Sequence, residues 1–414
     1  MASGDPSRRG PSRPGLLVVT VDRLPAWILP AWGSTWVSAP AIDGLAATGL
    51  LLDRVVATSL DPERTLDAIV GGLPADVAAA GRGVVIATDD AALARRHAGP
   101  GVEVVVVPAG VPSRRPRDAR RTALGGLFAA ASAALDAGPG CLWIHATSLG
   151  RVWDAPQEFH EPYVDPDDPP PPAGMAVPAF AVDADTDPDL LVGHRQLFAG
   201  QVSLLDRLLG ALVAALPGAG RGDWTVCLCG VRGMPLGLHG HMGPPHDPAA
   251  ERPSGESIHL PAILRPADGG MAGQRYGGIV VPADIGATLR ELAAVPPARG
   301  AAVEADVRPL GDLLARWEHR RRDRAISVGA GGVAVTTDAW RWIEGEGETP
   351  PDGGGGAGRL HALPDDFFEM CDVSDRCPAE AAALGRVAAL ARAGRLEEAC
   401  SAPLAAAGSP PSAG

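Results

Sequence analysis

Short, unbroken runs of leucine and β-branched residues constrain this chain more than any other feature. Residues 16–22 read Leu-Leu-Val-Val-Thr-Val-Asp, an apolar run closed by a carboxylate, and similar runs stand at 84–87, 102–107, 141–145 and 224–229. A strand covered on both faces needs no polar alternation, so these runs are expected as inner strands of a parallel sheet. Segments with helical periodicity lie between them, at 123–137 and 202–216. Asp61 and Pro62 mark a further helix start. Aspartate caps free N–H groups there, and proline loses nothing in the first turn. Strand and helix in alternation predict an α/β fold with a doubly wound, mostly parallel sheet flanked by helices.

Past residue 300 the pattern changes. Residues 332–336 and 339–343 read as a hairpin, 345–358 as a Gly/Pro/Glu-rich loop, and 380–399 as an Ala/Leu/Arg-rich helix. The expected division is a disordered arm over 1–14, the α/β domain over 15–300, a small C-terminal α+β subdomain over 301–400 and a flexible tail over 401–414.

The chain of 414 residues carries a formal charge of −13, which argues against a nucleic-acid partner. It contains no lysine and no asparagine, a bias that a GC-rich bacterial genome would produce. No lysine can therefore hold a substrate anion. The arginine-rich stretches at 114–121 and 320–324 read as solvated faces. No apolar run is long enough to span a bilayer and none resembles a leader, so a cytoplasmic protein without a membrane partner is expected. Cys227 and Cys229 fall on one face of a strand, and Cys371 and Cys377 flank a loop without other ligands. Neither a disulfide framework nor a zinc site is expected from them.

Several longer motifs stand in a telling order. After residues 16–22 come Ala-Pro-Ala-Ile-Asp-Gly-Leu-Ala-Ala-Thr-Gly at 39–49, Gly-Met-Pro-Leu-Gly-Leu-His-Gly from Gly233, and Glu-Ser-Ile-His-Leu-Pro-Ala-Ile-Leu-Arg-Pro from Glu256. In order and spacing they resemble the sulfatase branch of the alkaline phosphatase superfamily, over roughly residues 15–380. The resemblance implies a small C-terminal antiparallel sheet with a helix against it. It also implies a calcium or magnesium ion held by two aspartates after the first strand and by Asp-His or Asp-Asn after a later one. Here those four positions are Asp22, Arg23, Val231 and Arg232, so one carboxylate remains and two cations have entered. Unit charges 4 Å apart interact by roughly 4 kcal/mol at an effective dielectric of 20, and a divalent ion doubles that. Two arginines then outweigh one aspartate. The expectation is that no cofactor is held and that Arg232 pairs with Asp22 in the ion's place.

The same resemblance places the nucleophile, Cys or Ser in Cys/Ser-x-Pro-x-Arg, at Leu60 of Leu60-Asp61-Pro62-Glu63-Arg64. Leucine cannot serve. Arg64 is left as a remnant, expected on the rim of the old pocket or paired with Asp61 or Glu63. Ser59 stands one residue away and reads as a loop serine, although a register slip would offer it as a substitute. Asp89-Asp90 occupies the region where sulfate-contacting Lys and His are implied, and Ser148-Leu149-Gly150 replaces Asp-Pro-His. The lysine implied before Glu-Ser-Ile falls near Pro244 or Pro245. His239, His241, His246 and Asp247 either form a zinc or nickel site or belong to an inherited turn with exposed histidines. The resulting expectation is a catalytically inactive sulfatase-family protein. It would bind a small anion through Arg23, Arg64 and Arg232, or a protein partner; the alternative is an active hydrolase of sulfate or phosphate esters.

Overall fold

The computed structural model describes residues 14–217, 224–296, 306–316, 321–345 and 358–404. The arm over 1–13, the loop over 346–357 and the tail beyond 404 lie outside the described residues.

The strands, in chain order, are β1 (Gly15–Asp22), β2 (Leu50–Val56), β3 (Val84–Thr88), β4 (Val102–Val106), β5 (Cys141–Ala146), β6 (Phe180–Ala181), β7 (Trp224–Arg232), β8 (His241–Met242), β9 (His259–Arg265) and β10 (Gln274–Val280). A second group follows: β11 (Arg324–Gly329), β12 (Gly332–Thr337), β13 (Trp340–Glu344) and β14 (Gly358–Ala362). Eight of them make one sheet in the order β10-β2-β9-β7-β1-β5-β3-β4. All its pairings are parallel except those of β9, which runs against β2 and β7. The four later strands make an antiparallel sheet in sequence order, packed against the helix Pro378–Arg392. The fold class expected from sequence is the one observed.

The central strand β1 is buried along Leu16–Asp22, with alternate side chains serving two cores. Leu17, Val19 and Val21 face one, Leu16 and Val18 the other. Period-two alternation with apolar residues on both sides is what two covering helix layers require. Cys227 and Cys229 share the second core as free thiols, and burial pushes the Cys227 thiol up to about 12.

Four readings change. The helix expected at 202–216 spans Pro188–Ala215, capped by Asp187. It is long and apolar enough to cross a membrane by length and composition, and 61% of its most apolar window is buried in the protein. The basic stretch near 320 is no solvated face in its described part: Arg322 pairs with buried Asp284 at 2.9 Å, and Arg324 opens β11. The helix expected over 380–399 breaks at Gly394, whose φ of +76° suits glycine, and resumes as Leu396–Ser401. Ala402 and Leu404 still pack on the C-terminal core, so residues 401–404 are not loose.

Candidate functional site

A cleft of about 210 Å³ opens at the carboxyl ends of β1, β3, β5 and β7. Open α/β sheets collect ligands at this edge. Asp22, Arg23, Asp90, His145, Thr147, Arg151 and Arg232 line it, with Glu63 and Arg96 from two helices.

Asp22 ends β1, and a register shift sets it opposite Arg232, whereas its neighbour Val21 faces Gly230. The intervening Val231 is squeezed out of register and points into the second core with no exposed surface. A bulge of this kind re-aims one side chain. Arg232 reaches the carboxylate as a fork, Nε donating to Oδ1 at 2.9 Å and Nη2 to Oδ2 at 2.8 Å. Burial alone would raise the Asp22 pKa, but the Arg232 charge and hydrogen bond, then Arg23 and His145, carry it below the usual carboxylate range.

Arg23 leaves the strand at φ +66°, a left-handed conformation uncommon outside glycine. The turn sends its side chain away from Asp22 to a second buried carboxylate. Its guanidinium grips Glu251 with both Nη atoms, Nη2 donating to Oε2 at 2.9 Å, and also donates to the Gly233 carbonyl at 3.2 Å. Gly150 makes room for the Arg23 side chain, and Gly233 for the close approach of the Glu256 backbone. A Cβ on Gly150 would lie 2.9 Å from Arg23 Cγ, and one on Gly233 would lie 1.8 Å from the Glu256 carbonyl oxygen.

Leu60 does not face the cleft. It is 7% exposed and packs beneath Gly329 of β11, while its carbonyl accepts from Arg232 Nη1 at 3.5 Å. Ser59 Oγ accepts from the Asp61 amide at 3.1 Å, and the Ser59 backbone bridges to Val328. Arg64 lies outside the cleft: its side chain is 79% exposed and sits 3.7 Å from Asp61. The expectation that it stands on the rim is corrected, because Asp61 and Pro62 start the helix in a phase that turns residue 64 outward. Arg96, two helices away in sequence, and Arg151 take the rim instead.

The carboxylates at 89 and 90 are used internally. Asp89 Oδ1 accepts from the Thr147 amide at 2.7 Å and its hydroxyl at 2.8 Å, and Asp90 caps the helix Ala91–His97. Thr147, the one hydroxyl residue lining the cleft among the described residues, is thereby committed. His145 sits on the floor with Nδ1 3.0 Å from Thr20 Oγ1, itself held by Trp143 Nε1 at 2.9 Å. Burial lowers the His145 pKa against the pull of Asp22, Asp89 and Asp90, so the ring is neutral near pH 7. His145, Arg96, Arg151 and Glu251 were not singled out from the sequence. Position at the carboxyl end of a strand beside β1 was the available signal for His145; nothing local marks Glu251.

The histidines after β7 do not converge. His239 Nδ1 lies 3.1 Å from Glu256 and Nε2 2.9 Å from Glu369, the second a charge contact more than an aligned hydrogen bond. Burial works against protonation of His239, but the two carboxylates push its pKa up to about 9. His241 Nδ1 pairs with the Gly243 carbonyl at 2.7 Å, and Asp247 caps the turn Pro248–Ala250. Among the described residues no group of three or more His, Cys, Asp or Glu side chains is placed to hold a metal ion.

No protein-family model matches the sequence, and no curated relative matches it. Solved structures do. The phosphonate monoester hydrolase of Agrobacterium radiobacter is similar at 16% identity, over 93% of this chain and 96% of that one, with a TM-score of 0.65. The fold is that of the sulfatases and phosphonate monoester hydrolases. A 2-O GAG sulfatase, BT1596, matches at 15% identity over 95% of each chain with a TM-score of 0.66. The phosphonate monoester hydrolase SpPMH of Silicibacter pomeroyi matches at 15% over 93% of this chain and 96% of its own, also at 0.66.

These neighbours correct one expectation. Hydrolases of this fold normally use a metal ion, so the reading that no cofactor is needed has no support from the fold. The donor set at Asp22 nonetheless fits an ion poorly, since both its oxygens are engaged by Arg232 and the next residue, Arg23, offers no oxygen donor. An ion bound there would have to displace Arg232.

Proposed function

We propose that this sulfatase-fold chain binds a small oxyanion in the cleft beside Asp22 and does not hydrolyse its esters. The observation that supports the reading is the placement of Leu60, which stands at the nucleophile position and is turned into the core. Hydrolysis through a covalent intermediate needs an activatable oxygen or sulfur facing the substrate. The cleft retains cationic groups suited to an oxyanion: Arg151 has no carboxylate partner among the described residues, while Arg96 shares Glu63 and Asp67 at 3.2 and 3.6 Å. Planar guanidinium forks match tetrahedral oxyanions well.

A second reading, an active hydrolase of sulfate or phosphate esters, is favoured by neutral His145 and ionised Asp22 facing one cleft in a fold otherwise seen in hydrolases. One experiment separates them. The full chain is supplied in turn with calcium, magnesium, manganese and zinc, then assayed on aryl sulfate, phosphate and phosphonate esters. Binding without hydrolysis predicts turnover at the buffer rate and a sulfate- or phosphate-induced rise in Tm that Arg151→Ala reduces. Metal-dependent turnover that vanishes in His145→Ala would establish the hydrolase.

A further inference from the structure

A second cavity, of about 290 Å³, lies at the seam between the two sheets and shares no lining residue with the Asp22 cleft. Its size is near the lower end for small-molecule pockets, which favour such seams between packed units. Trp32 and Phe367 supply aromatic walls, Val56 and Leu363 aliphatic ones, and His259 and Arg341 the buried polar groups.

Those two polar groups are incompletely used. Arg341 is 5% exposed; its Nε donates to Thr336 Oγ1 at 3.0 Å and its Nη1 to Glu369. Among the described residues Nη2 makes no hydrogen bond, yet it is not among the atoms sealed from solvent without a partner. It is a donor with access to solvent, on a residue that lines the cavity. His259 Nε2 lies 2.8 Å from the Asp53 carbonyl, so that nitrogen carries the proton, and Nδ1, with no hydrogen-bond partner among the described residues, is an acceptor. Burial first, then Arg341, lowers the ring's pKa to about 4, which keeps it neutral.

Charge decides the kind of ligand. Each cation in the wall already has a carboxylate: Arg54 with Asp338, Arg275 with Asp53, and Arg341 with Glu369. Behind them His239 balances Glu256. An anion placed here would lose its water and gain no unpaired counter-charge, which is unfavourable. A flat neutral ring against these aromatic walls loses little, provided that it offers an acceptor to Arg341 and a donor to His259.

We propose that this cavity binds a small neutral planar lactam, a ring carrying a carbonyl beside an N–H, such as a pyrimidine or oxopurine base. The inference is independent of whether the Asp22 cleft binds or hydrolyses anything.

Uracil and hypoxanthine serve as probes of the full chain in ligand-observed saturation-transfer NMR, with benzoate and 1,3-dimethyluracil as comparators. Both lactams are expected to bind, with the comparators on the order of tenfold weaker, the loss set by one unmet buried hydrogen bond or one buried charge. Phe367→Ala is expected to weaken lactam binding by a similar factor. Dimethyluracil binding as well as uracil would overturn the donor–acceptor assignment, and benzoate binding as well would overturn the charge argument. Lactam signals absent up to the solubility limit, or unchanged in a folded Phe367→Ala variant, would overturn the site. Should that variant fail to fold, the comparison of the four probes on the native chain still decides.

Discussion

Arg232 holds Asp22 through two parallel hydrogen bonds of 2.9 and 2.8 Å, at the strand end where the sequence resemblance implies a metal ion. The pair joins β1 to β7 with their side chains largely out of water, at 9% and 18% exposure.

Removing one member of a largely buried pair strands the other, at a cost of about 3–5 kcal/mol. Arg232→Ala is therefore expected to lower stability by an amount in that range. Arg64→Ala, on a solvated pair, should change it by no more than about 0.5 kcal/mol. Equilibrium urea unfolding measures both. The Asp22 pKa is depressed on folding, so its contribution is complete above the unfolded carboxylate value and is lost as pH falls through the folded one. Equal, small effects for the two variants would show that Asp22 is solvated.

The clamp around His239 has the opposite pH sign. Glu256 and Glu369 raise its pKa on folding to about 9, so the stabilisation is complete below the unfolded value near 6.5. It is lost as pH rises through 9. The denaturation midpoint of the native chain should drop between pH 6.5 and 9.5, and His239→Gln should flatten that drop. A midpoint that rises over this interval would contradict the clamp.

Leu60 can be located by a double-mutant cycle. A methyl added at Gly329 would stand 2.7 Å from Leu60 Cδ1. Gly329→Ala should cost about 1–3 kcal/mol by overpacking, and less in a Leu60→Ala background where the space has been vacated. Additive costs would mean that Leu60 points elsewhere.

The same orientation bears on catalysis. A Leu60→Cys variant places its thiol toward β11, so aryl sulfate turnover should stay at the level of the native chain with or without added calcium. A metal-dependent gain in that variant would show that residue 60 faces the cleft.

The parallel sheet, its apolar inner strands and the Asp61–Pro62 helix start were legible in the chain itself. Burial on two faces and the first helical turn impose residue types at fixed local spacing, and local spacing is what a sequence displays. Strands β9 and β10 are not legible in the sequence, since β9 lies antiparallel between parallel neighbours and β10 carries two glycines at Gly277 and Gly278. The pairing of Asp22 with Arg232 could be anticipated because both stood at positions marked by motifs.

Sequence alone determined which chemical groups stand at the motif positions: one carboxylate, three arginines, a valine and a leucine. Only the tertiary structure decided where those groups point. The bulge that expels Val231, the left-handed turn that swings Arg23 to Glu251 and the helix phase that turns Arg64 outward all depend on contacts between residues far apart in the chain. No local pattern records which distant carboxylate an arginine reaches, because packing of the whole sheet sets that distance.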